Sequence, residues 1–198
     1  MLKKSSTILS AYDLRHSLTN EIKEEAKKSD RNNIHIVLDN IVDAYNVGSA
    51  FRIADSIFAK KVWICGKNIV TPLDRQVQKS SVNTCDLIEW EALEETKDIF
   101  KHLNNGPGKV NTFFLSLEKI NDYDKYDQIV HLRNIKAIWR NILDEEDRLC
   151  IIIGSESFGI SQEVLEWSDA IVEIPMYGIN NSMNVINALA ILTSHLVD

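Results

Sequence analysis

The chain of 198 residues contains only three cysteines, three prolines and seven glycines. The cysteines are odd in number and far apart, with no Cys-x-x-Cys pair, so neither a disulfide framework nor a zinc site is predicted. No proline- or glycine-rich linker divides the chain, and one main domain is expected. No apolar run approaches the ~20 residues that cross a bilayer, and residues 1–6 are not followed by the apolar region of a signal peptide. These absences together fit a cytoplasmic protein.

Basic residues are also fewer than acidic residues in this chain. The net charge of −7 argues against a nucleic-acid partner, because phosphate contacts need lysine and arginine. Net charge is a weak exclusion, however, since one basic patch can suffice. The first 31 residues hold seven cations against five acids, and middle positions add Lys60, Lys61, Lys67, Arg75 and Lys79, among others. Two interpretations stay open, an RNA-facing surface or ordinary solvated charge.

Short apolar runs alternate with segments of helical spacing along the chain. The run Cys150–Ile153 lacks polar alternation, as expected for a strand buried on both faces of a parallel sheet. Strand, helix and strand in alternation predict an α/β domain with a parallel sheet flanked by helices. The predicted strands are Ile34–Leu38, Lys61–Cys65, Asp86–Glu89, Thr112–Leu117, Leu149–Ile153 and Ala170–Ile174. The predicted helices are Val47–Phe58, Ala92–Leu103, Gln162–Trp167 and Met183–Val197, with one more around Arg133–Leu143.

The segment before the first predicted strand carries apolar positions at helical spacing, among them Leu14, Leu18 and Ile22. It is too small to form a core of its own. We therefore expect a helical N-terminal extension, residues 1–31, attached to a main domain of residues 32–198.

Unusual residues gather where predicted strands end, which is where open α/β sheets bind ligands. Three familiar explanations fail there. No G-x-G-x-x-G is present, and Ile160-Ser161 stands where a P-loop needs Lys-Ser/Thr. The segment Gly154–Phe158 lacks the second glycine of a nucleophile elbow. The five histidines form no ligand pair at metal spacing, so no metal site is predicted.

Three segments nevertheless carry a family resemblance. Asn46–Asp55 (NVGSAFRIAD), Gly154–Ile160 (GSESFGI), and Ile174–Gly178 (IPMYG) with Ser182–Val185 (SMNV) resemble, in order and spacing, the three motifs of the SpoU-type branch of the SPOUT methyltransferases. The resemblance runs from about Ile34 to the C-terminus. Two departures are visible: Ala59 stands where a glycine is usual, and Met183 where leucine is commoner. Neither position supplies a side-chain functional group.

The resemblance implies a fold, a cofactor and a reaction. The expected fold ends in a C-terminal trefoil knot, an exception to the usual rules of chain topology, and the expected assembly is a homodimer that shares its active site across the interface. The implied reaction is methyl transfer from S-adenosyl-L-methionine to a ribose 2′-hydroxyl of RNA. The implied cofactor-binding residues are Leu117, Gly154, Ile174, Met176, Ser182 and Met183. The implied catalytic residues are Arg52, Asn46, Glu156, Ser182 and Asn184.

Each of these polar residues also has an ordinary structural explanation. Asn46 and Ser182 could be helix N-caps, Arg52 could pair with Asp55 at i,i+3, and Glu156 could cap the N–H groups of the following helix. The four tryptophans could stack on bases, although packing is the better expectation for each. For Arg52, binding a phosphate and stabilising a developing alkoxide is easier than acting as a base, because guanidinium keeps its proton.

The last predicted helix bears on the assembly. Its apolar residues are more than one helix face needs, so we expect the Ser182–Val197 helix to contribute to the dimer interface. Those residues are Val185, Ile186, Ala188, Leu189, Ile191, Leu192 and Leu196.

Two functional alternatives stay open. The fold could serve a non-catalytic RNA-binding or assembly protein, or a SPOUT enzyme that methylates a base. Within the ribose interpretation, tRNA is favoured over rRNA. Members that act on rRNA often carry an extra N-terminal RNA-binding domain, and about 30 residues precede the main domain here.

Overall fold

The computed structural model describes residues 19–104, 110–137 and 147–197. The helices of this part are α1 (Asn20–Lys28), α2 (Ala44–Ser56), α3 (Arg75–Ser81), α4 (Asp98–Asn104), α5 (Gln162–Trp167) and α6 (Val185–Val197). The strands are β1 (Asn32–Asp39), β2 (Ala59–Cys65), β3 (Glu89–Leu93), β4 (Thr112–Leu117), β5 (Ile129–His131), β6 (Arg148–Gly154) and β7 (Ala170–Glu173). Short 3-10 turns lie at Thr84–Asp86, Tyr123–Lys125 and Leu132–Asn134.

The described strands form one sheet in the order β3-β2-β1-β6-β4-β7-β5, and all six pairings are parallel. This confirms the predicted α/β class. Strand β6 lies between β1 and β4, and β4 lies between β6 and β7. Because parallel strands end at the same edge, the loops that follow β1, β4, β6 and β7 meet there.

Apolar side chains cover both faces of this sheet. Along β1, Ile36 and Leu38 pack into one buried cluster with residues of α2 and α6. Val37, between them, points to the other face and packs with Trp63 and Phe100. A strand that is buried on both faces needs apolar residues at consecutive positions. This explains the continuous apolar runs of the sequence.

Two predicted boundaries in the middle of the chain are wrong. The strand predicted at Asp86–Glu89 begins instead at Glu89, because Leu87 and Ile88 bury their side chains at the end of a 3-10 turn and not in the sheet. The helix predicted from Ala92 begins only at Asp98. Ala92 still belongs to β3, where it pairs with Ile64 of β2.

Two short elements were not predicted. Strand β5 has three residues and helix α3 has seven, which is too short for a clear periodic pattern. Of the helix expected around Arg133–Leu143, the described part is a 3-10 turn at Leu132–Asn134 followed by helical residues 135–137, and residues 138–146 lie outside the described part.

The N-terminal extension is helical at Asn20–Lys28, while residues 1–18 lie outside the described part. Thr19 caps α1 by accepting the Ile22 N–H, and Lys23 pairs with Asp86 at 2.5 Å. No residue of α1 is buried, so this helix lies on the surface of the main domain. Among the described helices, none is long and apolar enough to cross a membrane.

Candidate functional site

Three loops at the carboxyl edge of the sheet enclose a cleft of about 430 Å³, a size typical of small-molecule sites. They follow β4, β6 and β7, which are consecutive neighbours around β4 in the sheet. The residues that line the cleft are Leu117, Glu118, Lys119, Gly154, Ser155, Glu156, Gly159, Ile174, Met176, Asn181, Ser182, Met183, Asn184, Val185 and Ala188.

The loop after β6 folds back tightly on the strand end. A Cβ on buried Gly154 would stand 2.2 Å from the Gly159 carbonyl carbon and 2.3 Å from the Ile160 nitrogen. Gly159 itself has a φ of +65°, which disfavours other residues. Both glycines of the second motif are therefore required by the path of the backbone.

Two carboxylates from the neighbouring strands hold this loop. Glu118, directly after β4, accepts the Ile160 N–H at 2.7 Å, and Asp39, at the end of β1, accepts the Ser161 N–H at 3.2 Å. Asp39 is 1% exposed and also accepts from Thr96 and from Asn40. Two consecutive N–H groups are thus bound from opposite sides of β6, which fixes the wall of the cleft that carries Glu156.

The loop after β7 forms the opposite wall. Asn180 accepts hydrogen bonds from the Ser182 N–H and hydroxyl at 3.2 and 3.0 Å. The Lys119 ammonium reaches across from the loop after β4 and donates to the Asn181 carbonyl at 3.3 Å. Both contacts order the backbone between β7 and α6.

Asn184 joins the three motif segments. Its Nδ2 donates to Glu156 Oε1 at 2.7 Å and to Asn46 Oδ1 at 3.1 Å. Its Oδ1 accepts the Ile186 N–H at 2.9 Å and so caps α6. One side chain therefore both starts the last helix and connects the residues singled out in the first and second motifs.

Most of the predicted site residues come together. Leu117, Gly154, Ile174, Met176, Ser182 and Met183 all line the cleft, together with Glu156 and Asn184. Asn46 reaches the cleft through its bond to Asn184. Arg52 does not line it: its side chain is exposed on α2, in the stripe that also carries Tyr45.

The structure contradicts three of the ordinary explanations. Asp43, not Asn46, caps α2, and the Asn46 N–H donates to Asp43 Oδ1 at 2.8 Å. Asn184, not Ser182, caps α6. Asp55 pairs with Arg31 at 3.2 Å, and none of the ion pairs between described residues includes Arg52. Asp55, three residues after Arg52, therefore already binds a buried arginine of the extension.

Two of the tryptophans pack as expected. Trp63 is buried and donates its indole N–H to His35 Nδ1 at 2.9 Å, and Trp90 packs against the core at the edge of the sheet. Trp167 contacts Phe100 edge-on but stays 45% exposed, and Trp139 lies outside the described part.

The cleft combines an apolar floor with a polar mouth. Leu117 is buried, and Ile174, Met176, Met183, Val185 and Ala188 are buried in part. The exposed lining residues are polar: Lys119, Glu156, Asn181, Ser182 and Asn184. Such a cleft suits a ligand with a flat apolar body and a charged end. No group of three or more potential metal ligands occurs among the described residues.

A sequence model of the SpoU rRNA Methylase family matches residues 33–194. The chain belongs to this family. The match includes all three motif segments and leaves out the whole N-terminal extension, residues 1–31. It confirms the resemblance seen in those segments.

Two relatives show how far the similarity extends. A Staphylococcus aureus protein assigned to the TrmH family of tRNA/rRNA methyltransferases is 28% identical over 174 residues, which cover 86% of this chain and 60% of that protein. A tRNA (guanosine(18)-2′-O)-methyltransferase from Borreliella burgdorferi is 36% identical over 74 residues, 37% of this chain and 34% of that one. The chain thus spans about 60% of the length of the first relative.

A solved structure supports the fold. The SpoU methyltransferase AviRb from Streptomyces viridochromogenes, in complex with the cofactor AdoMet, matches with a TM-score of 0.66 at 17% identity, over 87% of this chain and 60% of that one. The TM-score shows that the two chains share a fold, and at this identity the likeness extends to the fold alone.

Sequence reasoning missed Asp39, Glu118 and Lys119. Glu118 and Lys119 follow directly after the predicted strand Thr112–Leu117, and the rule that ligands bind at strand ends would have singled them out. Asp39 ends β1 and could have been found in the same way. The contacts of these three residues with Ile160, Ser161 and Asn181 could not have been predicted, because those contacts depend on which strands are neighbours in the sheet.

Proposed function

We propose that this chain is an S-adenosyl-L-methionine-dependent RNA methyltransferase that acts on a ribose 2′-hydroxyl. One observation carries the proposal: the six residues expected to hold the cofactor, which lie in separate segments between Leu117 and Met183, all line a single cleft. The AdoMet complex of the similarly folded AviRb supports the cofactor. The 2′-O activity in the name of the Borreliella relative supports the position of the methyl group.

The residues of the cleft fit this cofactor by their chemistry. The apolar floor of Leu117, Ile174 and Met183 suits the faces of an adenine ring, and the backbone groups of the loops after β6 and β7 can donate to and accept from its polar edges. The volume of about 430 Å³ suits a ligand of this size. When bound, S-adenosyl-L-methionine supplies a methyl group that its sulfonium already activates, so the protein must supply alignment and charge stabilisation.

Asn184 and Glu156 position the reacting groups in this proposal. The amide of Asn184 holds the Glu156 carboxylate at 2.7 Å at the mouth of the cleft. A fixed carboxylate there can accept a hydrogen bond from a ribose hydroxyl and orient its oxygen toward the methyl donor. Asn46 fixes the same amide from α2, which limits its rotation.

Arg52 acts on the RNA in this proposal. Its guanidinium is exposed and forms no ion pair with another described residue, so its five N–H donors are open to a phosphate. A bidentate contact would orient the ribose, and the same charge would stabilise the negative charge that develops on the ribose oxygen as its proton passes to the Glu156 carboxylate. Loss of that proton to Arg52 is excluded, because guanidinium is protonated at all ordinary pH values.

We further propose a homodimer that shares its active site and a C-terminal trefoil knot, both implied by the family resemblance. Arg52 lies outside the cleft of its own chain, which is the arrangement expected if each cleft takes this residue from the partner. Tyr177 and Ile179, in the loop after β7, are 91% and 104% exposed and offer an apolar contact surface.

Helix α6 does not favour the dimer, contrary to the expectation from its many apolar residues. The apolar residues of α6 are used within the chain: Leu189 and Leu192 are fully buried, and Val185, Ala188 and Ile191 pack against the same core. The exposed residues of α6 are mainly polar, such as Asn187 and Ser194.

We propose tRNA over rRNA as the substrate, as the name of the Borreliella relative suggests. The test is methylation of purified bulk tRNA and rRNA with radiolabelled S-adenosyl-L-methionine, followed by digestion to nucleosides and mass spectrometry. We expect label in tRNA, with the added mass on the ribose fragment. A methylated base would overturn the ribose assignment, and label in rRNA alone would overturn the tRNA assignment. RNA binding without transfer to either RNA would favour a non-catalytic RNA-binding role.

A further inference from the structure

The cleft contains one cation among its described lining residues, Lys119. Neither of the acids that line the cleft, Glu118 and Glu156, pairs with the ammonium of Lys119. The Glu118 carboxylate accepts the N–H groups of Lys119 and Ile160 at 3.0 and 2.7 Å, and Glu156 accepts from Asn184. None of the ion pairs between described residues includes Lys119.

The ammonium of Lys119 is held at the mouth. Its backbone is fixed by the bond from its own N–H to Glu118 Oε1, and its Nζ donates to the Asn181 carbonyl at 3.3 Å. An ammonium has three N–H donors, and the structure shows a described acceptor for one of them. Lys119 is thus an oriented cation with remaining donors at the exposed, polar end of the cleft.

We propose that Lys119 binds the carboxylate at the amino-acid end of the cofactor. This inference rests on the proposed function, because it takes the ligand to be S-adenosyl-L-methionine. With the flat adenine on the apolar floor, the zwitterionic end of the ligand lies at the polar mouth. A carboxylate there needs a cationic donor, and Lys119 is the one described lining residue that provides it. Lys119 then distinguishes ligands that carry this carboxylate from those that lack it.

The test compares two neutral-sulfur ligands by calorimetry: S-adenosylhomocysteine and its decarboxylated analogue, which keeps the amine and lacks only the carboxylate. The protein variants are wild type, Lys119→Met, Lys119→Arg and the control Lys67→Met, which removes an exposed lysine of a neighbouring cleft. A charge-assisted contact at an exposed site supports a modest effect. We expect Lys119→Met to weaken S-adenosylhomocysteine binding by about 5- to 10-fold and to leave the analogue nearly unchanged.

The controls separate the possible failures. Lys119→Arg should restore most of the preference for the carboxylate, and Lys67→Met should behave as wild type. Equal weakening of both ligands by Lys119→Met would mean that Lys119 only orders the loop at Asn181, and no weakening of either would also overturn the inference. Failure of wild type to bind either ligand would instead overturn the proposed function, and this inference with it.

Discussion

Replacing Gly154 by alanine should damage both the stability of the fold and the cleft. The new Cβ would lie 2.2 to 2.5 Å from three backbone atoms of Gly159 and Ile160, about 1 Å closer than an ordinary van der Waals contact. Backbone atoms cannot move aside alone, so the whole loop after β6 must shift. Overpacking of this kind costs about 1–3 kcal/mol. The shift also pulls the Ile160 N–H away from Glu118, at a further cost of about 1 kcal/mol.

We therefore expect Gly154→Ala to lower the free energy of unfolding by about 2–4 kcal/mol, measured by urea denaturation. S-adenosylhomocysteine affinity, measured by calorimetry on the folded protein, should fall by at least about 10-fold, since ~1.4 kcal/mol of misfit at the cleft wall suffices. The matched control is Gly178→Ala, whose Cβ would meet nothing closer than 3.8 Å. Gly154→Ala with the stability and affinity of Gly178→Ala would refute this account of the loop.

Three further predictions concern side chains. Arg52→Ala should reduce single-turnover methylation of tRNA by about 100-fold with little change in cofactor affinity, and Arg52→Lys should rescue poorly; near-wild-type activity would end the assignment. Burial, and then the charge of Arg148, lower the pKa of His35 to about 3, so the folded state binds fewer protons than the unfolded state between pH 3 and 6.5. The free energy of unfolding should fall as the pH drops below 6.5, by up to about 1.4 kcal/mol per pH unit more in the wild type than in His35→Gln. Urea denaturation that shows the same loss of stability in both proteins between pH 7 and pH 5 would contradict this. Burial raises the pKa of all three thiols, that of Cys65 to about 12, so Ellman's reagent should label the native protein only as fast as it unfolds; rapid labelling would be the contrary result.

Much of the fold could be predicted because most of the strands carry their own apolar signal in the sequence. The strand Thr112–Leu117 and the helix Gln162–Trp167 have the predicted boundaries. The errors lie at residues that are buried without belonging to a strand. Leu87 and Ile88 are as buried as strand residues but lie outside the strand, and a single sequence does not distinguish the two cases.

The order of the strands was not readable from local patterns. The position of β6 between β1 and β4 decides that Asp39 and Glu118 meet consecutive N–H groups of one loop. Each acid stands at a strand end that the sequence does mark. The contact between them and the loop depends on sheet topology, which short-range periodicity does not contain.

Asn184 shows why functional and structural explanations of one residue need not compete. A cap requires only a side-chain oxygen near the N–H of the second helical residue, and Asn184 Oδ1 meets that need within its own segment. The same amide has two donors left, and the cap orients them away from the helix toward Glu156 and Asn46. Those partners lie 28 and 138 residues away, so their positions depend on the whole sheet. Aspartate would cap as well, but it would place a carboxylate oxygen where Nδ2 now donates to Glu156. The requirement for asparagine therefore comes from the cleft, while the position of the residue comes from the helix.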